Sequence, residues 1–293
     1  MDPMKINGFD YQRVPVADGV SLQTAVAGTG SPIVLLHGFP ETHLMWRHVA
    51  ADLAADHTVL VPDLRGYGDS DKPAEASADT YSKRTMAADV VALAKAFGHD
   101  RFALAGHDRG ALVAIRAGLD HPDTVTHLAS LDVLPTLESW DVLRGVHGAV
   151  GWHLYLMAQP AGLPEKMIAA VADEFYGSFL DQWAGNSDAI PEDVRAEYLR
   201  ASAAATPSIV ADYRATAGID VAHDTVDRDA GHRLAMPVTV LQQDWGAALG
   251  FDAEGIWSRW AADLDHRTTS AGHFMAEEAP AEVVKAIREL LAR

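Results

Sequence analysis

The chain has 293 residues, of which 48% are hydrophobic and 22% are charged, a composition typical of a globular protein with a sizeable core. Its 41 acidic and 23 basic side chains give a formal net charge of −18, so neither nucleic acids nor anionic membranes are expected as partners. The absence of cysteine excludes disulfides and thiol nucleophiles, and we expect no metal and no cofactor. No apolar run approaches membrane-spanning length and no apolar leader is found, so we expect a cytoplasmic protein.

Strands and helices are predicted to alternate through the first part of the chain. This alternation indicates an α/β fold, with a mostly parallel, doubly wound sheet covered by helices on both faces. Strands are predicted at residues 21–27, 32–36, 57–61, 101–106 and 128–133. Helices are predicted at residues 41–54, 82–97 and 111–119.

The alternation stops from about Leu134 to Arg233, where the sequence predicts helices and no strand. It resumes afterwards. Strands are then predicted at residues 237–241 and 267–270, and helices at residues 256–264 and 281–291. We therefore predict a core of residues 1–134 and 235–293, interrupted by a helical cap of residues 135–234 that covers the active site.

The stretch Gly106-His-Asp-Arg-Gly110 connects a predicted buried strand to a predicted helix. A strand, a G-x-x-x-G turn and a helix form a nucleophile elbow, which holds its middle side chain exposed at the edge of the sheet. That side chain is Asp108. A carboxylate is suited to attack a saturated carbon that bears a leaving group, forming an ester that water then hydrolyses. The elbow thus predicts halide displacement or epoxide opening, whereas an esterase or lipase would need serine here.

Four motifs in this order resemble the α/β-hydrolase fold, and the aspartate at the elbow resembles its dehalogenase and epoxide hydrolase branch. The motifs are His37 to Thr42, Asp63 to Ser70, Gly106 to Gly110, and Gly272-His273. Trp152-His153 and Asp212 to Ala215 most resemble the fluoroacetate (haloacetate) dehalogenases. The resemblance implies a hydrolytic dehalogenase that acts on small haloacids through an aspartyl ester with water, and it suggests a homodimer.

The resemblance also implies a catalytic triad. His273, in the loop after the last predicted strand, would be the general base that activates water. The acid that orients His273 is expected to be Asp132 at the end of a predicted strand, as in the dehalogenases. Asp244 and Asp252 follow the next strand and remain competitors, because many α/β-hydrolases carry their acid there.

Further positions match substrate-binding residues of the family. The main-chain N–H groups of Phe39 and Arg109 would form an oxyanion hole, and the Arg109 side chain would bind a substrate carboxylate. His153 and Tyr213 would hold the departing halide, and Trp152 is expected to line the pocket.

Two positions depart from the dehalogenase pattern. The family carries a second arginine three residues after the first, where this chain has Leu112. It carries a halide-binding tryptophan after the cap histidine, where this chain has Leu154. We therefore expect a substrate that is less anionic, or bulkier and more apolar, than fluoroacetate.

Two other functions, an epoxide hydrolase and a non-catalytic receptor, fit the sequence less well. An epoxide hydrolase would use the same triad, but such enzymes usually carry two cap tyrosines. This chain has Tyr213 at one such position and His153 at the other, with Tyr155 nearby. A non-catalytic receptor for a small molecule is disfavoured, because the predicted triad is intact.

Overall fold

The computed structural model describes residues 4–293 and contains one eight-stranded sheet with strand order β1-β2-β4-β3-β5-β6-β7-β8. The strands are β1 (Asp10–Ala17), β2 (Val20–Ala27), β3 (Ser31–Leu36), β4 (His57–Pro62), β5 (Phe102–His107), β6 (Val125–Leu131), β7 (Leu234–Gln243) and β8 (Ala261–Thr269). β2 pairs antiparallel with β1 and β4, and every other pairing is parallel. The predicted α/β architecture is confirmed.

Helices cover both faces of this sheet. Those of the core are α1 (Arg47–Leu53), α2 (Lys83–Ala96), α3 (Arg109–Asp120), α10 (Trp245–Leu249), α11 (Ala253–Trp260), α12 (Met275–Glu278) and α13 (Pro280–Leu291). Successive residues of a strand point to opposite faces, and the buried side chains of β3 alternate in this way. Val34 and Leu36 join the apolar cluster under α2 and α3, whereas Ile33 and Leu35 join the cluster under α1 and α13.

A helical insertion follows β6 and ends before β7. Its helices are α4 (Thr136–Val142), α5 (Trp152–Met157), α6 (Leu163–Ala169), α7 (Ala172–Trp183), α8 (Glu192–Ala215) and α9 (Val221–Ala230). The insertion begins directly after the carboxyl end of β6, the same edge of the sheet at which β5 leads into α3. Parallel sheets place their ligand sites at this edge. Within residues 4–293, no helix combines the length and the hydrophobicity needed to cross a bilayer.

Two elements differ from the sequence prediction. Strand β1 was not predicted, because it is an edge strand with one buried residue, Val14, and therefore has no apolar run. The helix predicted over residues 256–264 ends at Trp260, and the chain continues as β8. β8 is the other edge strand, and its mostly half-exposed polar residues gave no strand signal except near its end.

Candidate active site

Asp108 lies between β5 and α3 with a φ of 47° and a ψ of −116°. A positive φ is uncommon for residues other than glycine and is maintained only where the surroundings enforce it. The Asp108 N–H donates to the Leu131 carbonyl at 3.1 Å, and its carbonyl accepts from Ala111 N–H at 3.0 Å. The main chain therefore holds the turn on both sides of Asp108.

The flanking glycines provide space rather than unusual backbone angles. Neither Gly106 nor Gly110 has a positive φ. A Cβ atom at Gly106 would lie 2.5 Å from the Gly110 carbonyl oxygen, and one at Gly110 would lie 2.4 Å from that of His37. The glycines therefore allow α3 to pack closely against β3 and β5, and the strained angle is carried by Asp108 itself.

The Asp108 carboxylate faces a cavity of about 470 Å³ below the helical insertion. Its Oδ1 accepts a hydrogen bond from the Phe39 N–H at 2.8 Å. The Arg109 N–H, the other predicted oxyanion-hole donor, makes no hydrogen bond to a described residue. Burial disfavours the charge on Asp108, but nearby His273 and Arg109 and the Phe39 hydrogen bond outweigh it, so its pKa lies below the ordinary value. Asp108 is therefore ionised at neutral pH, as a nucleophile must be.

His273 approaches the same carboxylate. Its Nε2 lies 4.0 Å from Asp108 Oδ2 and has no hydrogen-bond partner among residues 4–293. Its Nδ1 donates to Asp132 Oδ2 at 2.7 Å. Burial disfavours the imidazolium, but the bond to Asp132 and the charges of Asp132 and Asp108 outweigh it, so the pKa of His273 is raised. When the ring is neutral, the Asp132 contact fixes the tautomer that leaves the Nε2 lone pair directed towards Asp108.

Asp132 is itself held in place. Its Oδ1 accepts from the Gln243 main-chain N–H and its Oδ2 from the Gln243 side-chain amide, both at 2.8 Å. The two competing acids do not contact His273: Asp244 caps α10 through Ala247 N–H, and Asp252 caps α11 in the same way. The geometry therefore favours Asp132 as the orienting acid.

The loop of His273 is fixed from behind by residues that the sequence did not point to. His107 Nε2 lies 2.8 Å from the His273 carbonyl oxygen, which can only accept, so this nitrogen carries a proton. The His273 N–H donates to the Trp183 carbonyl at 2.9 Å. The Trp183 ring also lines the cavity, 5.0 Å from the rings of both His153 and His273. No sequence motif surrounds Trp183. It contacts His273 because α7 ends at this residue beside the His273 loop.

Most of the predicted substrate-binding side chains line the cavity. They are Arg109, Leu112, His153, Leu154 and Tyr213. Trp152 is not among the residues that line it. Trp152 is 43% exposed, and its ring stacks on the ring of Phe179. The orientation of α5 directs His153 and Leu154 towards the cavity and leaves Trp152 partly exposed.

His153 and Tyr213 present neutral donors. Burial lowers the pKa of His153 to about 3, so its imidazole is uncharged at neutral pH. Its Nδ1 is buried and has no hydrogen-bond partner among the described residues. Burial and the nearby charge of Asp108 raise the pKa of Tyr213, so its phenol keeps its proton. Both side chains can solvate an anion without carrying charge.

Arg109 is bound to the insertion. Its Nε donates to Asp212 Oδ2 at 2.9 Å, its Nη2 lies 2.9 Å from Asp212 Oδ1, and Nη2 also donates to Thr216. Asp212, on α8, further accepts from Tyr67 at 2.6 Å and from Lys83. All of these groups are buried. Arg109 therefore combines a structural ion pair with a position on the cavity wall.

A family model described as the alpha/beta hydrolase fold matches residues 31–150, from β3 into the insertion. Because a relative 37% identical extends over 97% of the chain, the chain belongs to the α/β-hydrolase family. That relative is the fluoroacetate dehalogenase of Burkholderia sp, of which 94% is covered. The soluble epoxide hydrolase of Corynebacterium sp. (strain C12) is 31% identical, and the match covers 91% of this chain and 92% of that protein.

Solved structures agree with this assignment. ALR0039 from Nostoc sp PCC 7120, assigned as an α/β hydrolase, is 36% identical and superposes with a TM-score of 0.93. The match covers 98% of this chain and 99% of the other. The chain is thus a hydrolase whose relatives include both classes of enzyme that an elbow aspartate predicts.

Proposed function

We propose that this enzyme hydrolyses the carbon–halogen bond of haloacids through an ester on Asp108. The observation that carries this proposal is the ionised Asp108 carboxylate, facing a cavity with His273 Nε2 4.0 Å away and unpartnered among the described residues. This separation is too long for a hydrogen bond, so His273 leaves the carboxylate free to attack.

In the first step, an Asp108 oxygen attacks the halogen-bearing carbon from the side opposite the halogen. A carbon–oxygen bond forms while the carbon–halogen bond breaks, and the halide leaves with the bonding electrons. His153 and Tyr213 line the cavity as uncharged donors and would solvate the halide. Arg109, also on the wall, would bind the substrate carboxylate.

In the second step, water attacks the carboxyl carbon of the Asp108 ester and gives its proton to His273 Nε2. The oxyanion develops on Oδ1, which the Phe39 N–H already contacts at 2.8 Å. Collapse of this intermediate breaks the ester bond at the carboxyl carbon, and the leaving alkoxide takes the proton from His273 to become a 2-hydroxy acid. The Asp108 carboxyl group then loses its remaining proton, which regenerates the carboxylate. Only the first step breaks a bond at the substrate carbon, so the product has inverted configuration there.

Epoxide hydrolysis is the alternative, because the same triad could open an epoxide and a phenol could protonate its oxygen. Tyr213 lines the cavity and keeps its proton. Tyr155, considered as a second tyrosine, donates to the Leu143 carbonyl at 2.8 Å and does not line the cavity. A single available phenol supports the dehalogenase over the epoxide hydrolase.

The test is a panel of fluoro-, chloro- and bromoacetate together with styrene oxide, with halide and diol measured in parallel. We expect halide release that Asp108→Asn abolishes. A single turnover in oxygen-18 water is expected to label the Asp108 peptide while the hydroxy acid stays unlabelled. Diol without halide would replace the proposal by the epoxide hydrolase, and label found only in the product would exclude the ester.

A further inference from the structure

The cavity is much larger than a two-carbon haloacid requires. Its volume of about 470 Å³ lies within the range of about 300–1,000 Å³ that is typical of sites for drug-sized ligands. A haloacetate bound at Asp108 would leave most of this space to water. The volume therefore indicates a substrate with a large group attached to the reacting carbon.

The charge distribution of the cavity disfavours strong binding of a small anion. Arg109 is the one lysine or arginine among the described residues that line the cavity. Its Nε and Nη2 are used by Asp212, and Nη1 alone has no hydrogen bond to a described residue. A substrate carboxylate could thus contact only the Nη1 amino group, rather than make the paired contact with two guanidinium nitrogens that makes arginine–carboxylate bonds strong. Leu112, one helical turn further along α3, adds apolar surface where a second cation would reach the same cavity.

The remaining cavity surface offers a different kind of binding. We name six of the lining residues the apolar wall: Leu112, Trp140, Leu143, Leu154, Trp245 and Leu249. They come from α3, α4, α5 and α10 and from the residue that follows α4, so both the core and the insertion contribute. Two of the six are tryptophans, whose flat faces suit contact with an aromatic or branched apolar group.

We propose that the preferred substrates are 2-halo acids whose halogen-bearing carbon carries a large apolar group, with that group lying against the apolar wall. This inference rests on the proposed dehalogenation and specifies its substrate class. The reaction is balanced as 2-halo acid plus water giving 2-hydroxy acid, halide and a proton. The apolar wall then supplies the binding that a single partly used guanidinium does not.

The experiment compares 2-chloro-2-phenylacetate with chloroacetate, measured as kcat/KM for chloride release. Because one methylene in an apolar pocket changes such ratios by roughly 10–200-fold, we expect a preference of at least about tenfold for the phenyl substrate. The amide 2-chloro-2-phenylacetamide is expected within about tenfold of the acid, since contact with one guanidinium nitrogen contributes little to charge recognition.

Two neighbouring alanines of α10 provide a matched pair of variants. Both alanines are exposed, but Ala248 lines the cavity and Ala247 does not. Ala248→Trp is expected to reduce the phenyl preference by at least about tenfold, and Ala247→Trp to leave it unchanged. Leu112→Arg, which introduces a second guanidinium, is expected to shift the ratio towards chloroacetate.

The outcomes separate this inference from the proposed function. Equal or better turnover of chloroacetate would overturn the substrate class and leave the dehalogenase intact. A phenyl preference unaffected by both Ala248→Trp and Leu112→Arg would overturn the location at the apolar wall. Diol formation from styrene oxide with no chloride released from any acid would overturn the proposed function itself.

Discussion

Replacing Asp132 by asparagine tests the predicted triad at the residue that is held by the most hydrogen bonds. The Asp132 carboxylate receives three donors: the Gln243 main-chain N–H, the Gln243 amide and His273 Nδ1. Asparagine offers one accepting oxygen and one donating NH₂ group. The Gln243 main-chain N–H is fixed at the end of β7, so the asparagine oxygen is expected to stay there. The NH₂ group would then face His273 Nδ1.

This reversal changes the tautomer of His273. Its Nδ1 would have to accept, so the proton would move to Nε2, and the ring could no longer take a proton from water. A general base contributes about 10²–10⁴-fold to rate, or about 2.7–5.5 kcal/mol of barrier. The same change in the triad of a serine protease costs about 10⁴-fold for the same reason. We expect a loss of this size in ester hydrolysis alone, because attack by Asp108 needs no base.

The assay is rapid-quench measurement of halide together with the intact mass of the protein. Asp132→Asn is expected to give one halide per enzyme at near wild-type rate, followed by slow turnover and an accumulated ester on Asp108. Asp252→Asn is the matched control, because that carboxylate caps α11 away from the cavity and asparagine caps a helix about as well as aspartate, so both turnover and stability should change little. Loss of the initial halide burst, or turnover within tenfold of wild type, would refute the assigned role of Asp132.

Three further predictions concern charge. Asp108→Asn should lower the pKa of His273, because the Asp108 charge helps to raise it; an unchanged pKa in a ring NMR titration would contradict this coupling. His153, with its pKa lowered to about 3, should impose no pH dependence on halide release between about pH 5 and 8, and His153→Gln should retain more of this activity than His153→Phe. Asp212→Asn should reduce the free energy of unfolding in urea by about 3–5 kcal/mol, since it removes the buried negative charge that pairs with both Arg109 and Lys83. Asp229→Asn, at an exposed ion pair, should change it by less than about 1 kcal/mol, and similar losses for both variants would contradict the importance of burial.

The sequence predicted the fold and the elbow well for a physical reason. Buried parallel strands are short apolar runs, and an elbow needs a tight G-x-x-x-G turn, so both leave local patterns in the chain. Asp108 therefore stood out without any knowledge of its neighbours. The edge strands β1 and β8 each have one buried residue and leave no such pattern, which is why one was missed and the other shortened.

Residues that support the site from distant parts of the chain are harder to predict from the sequence. Gln243 is an ordinary polar residue at the end of β7. Only the pairing of β6 with β7 brings it to Asp132. Trp183 is one of seven tryptophans, and its place beside His273 depends on the path of the insertion over the sheet. The sequence places Trp152 in the pocket beside His153, but the orientation of α5 directs His153 and Leu154 there instead. These contacts are set by tertiary packing and not by local sequence.

The role of Arg109 depends both on its position in the sequence and on tertiary packing. Its position after the nucleophile predicted a contact with a substrate carboxylate, but its partner Asp212 lies about a hundred residues later on α8. The next residue of that helix, Tyr213, packs its ring 4.0 Å from the Arg109 guanidinium and lines the cavity. One helix of the insertion therefore both reduces the free charge of the cavity and places a neutral donor in it. Because the same ion pair joins the insertion to α3, a change that released Arg109 for an anionic substrate would also loosen the insertion above the cavity. The substrate preference and the attachment of the insertion are thus determined by the same buried carboxylate.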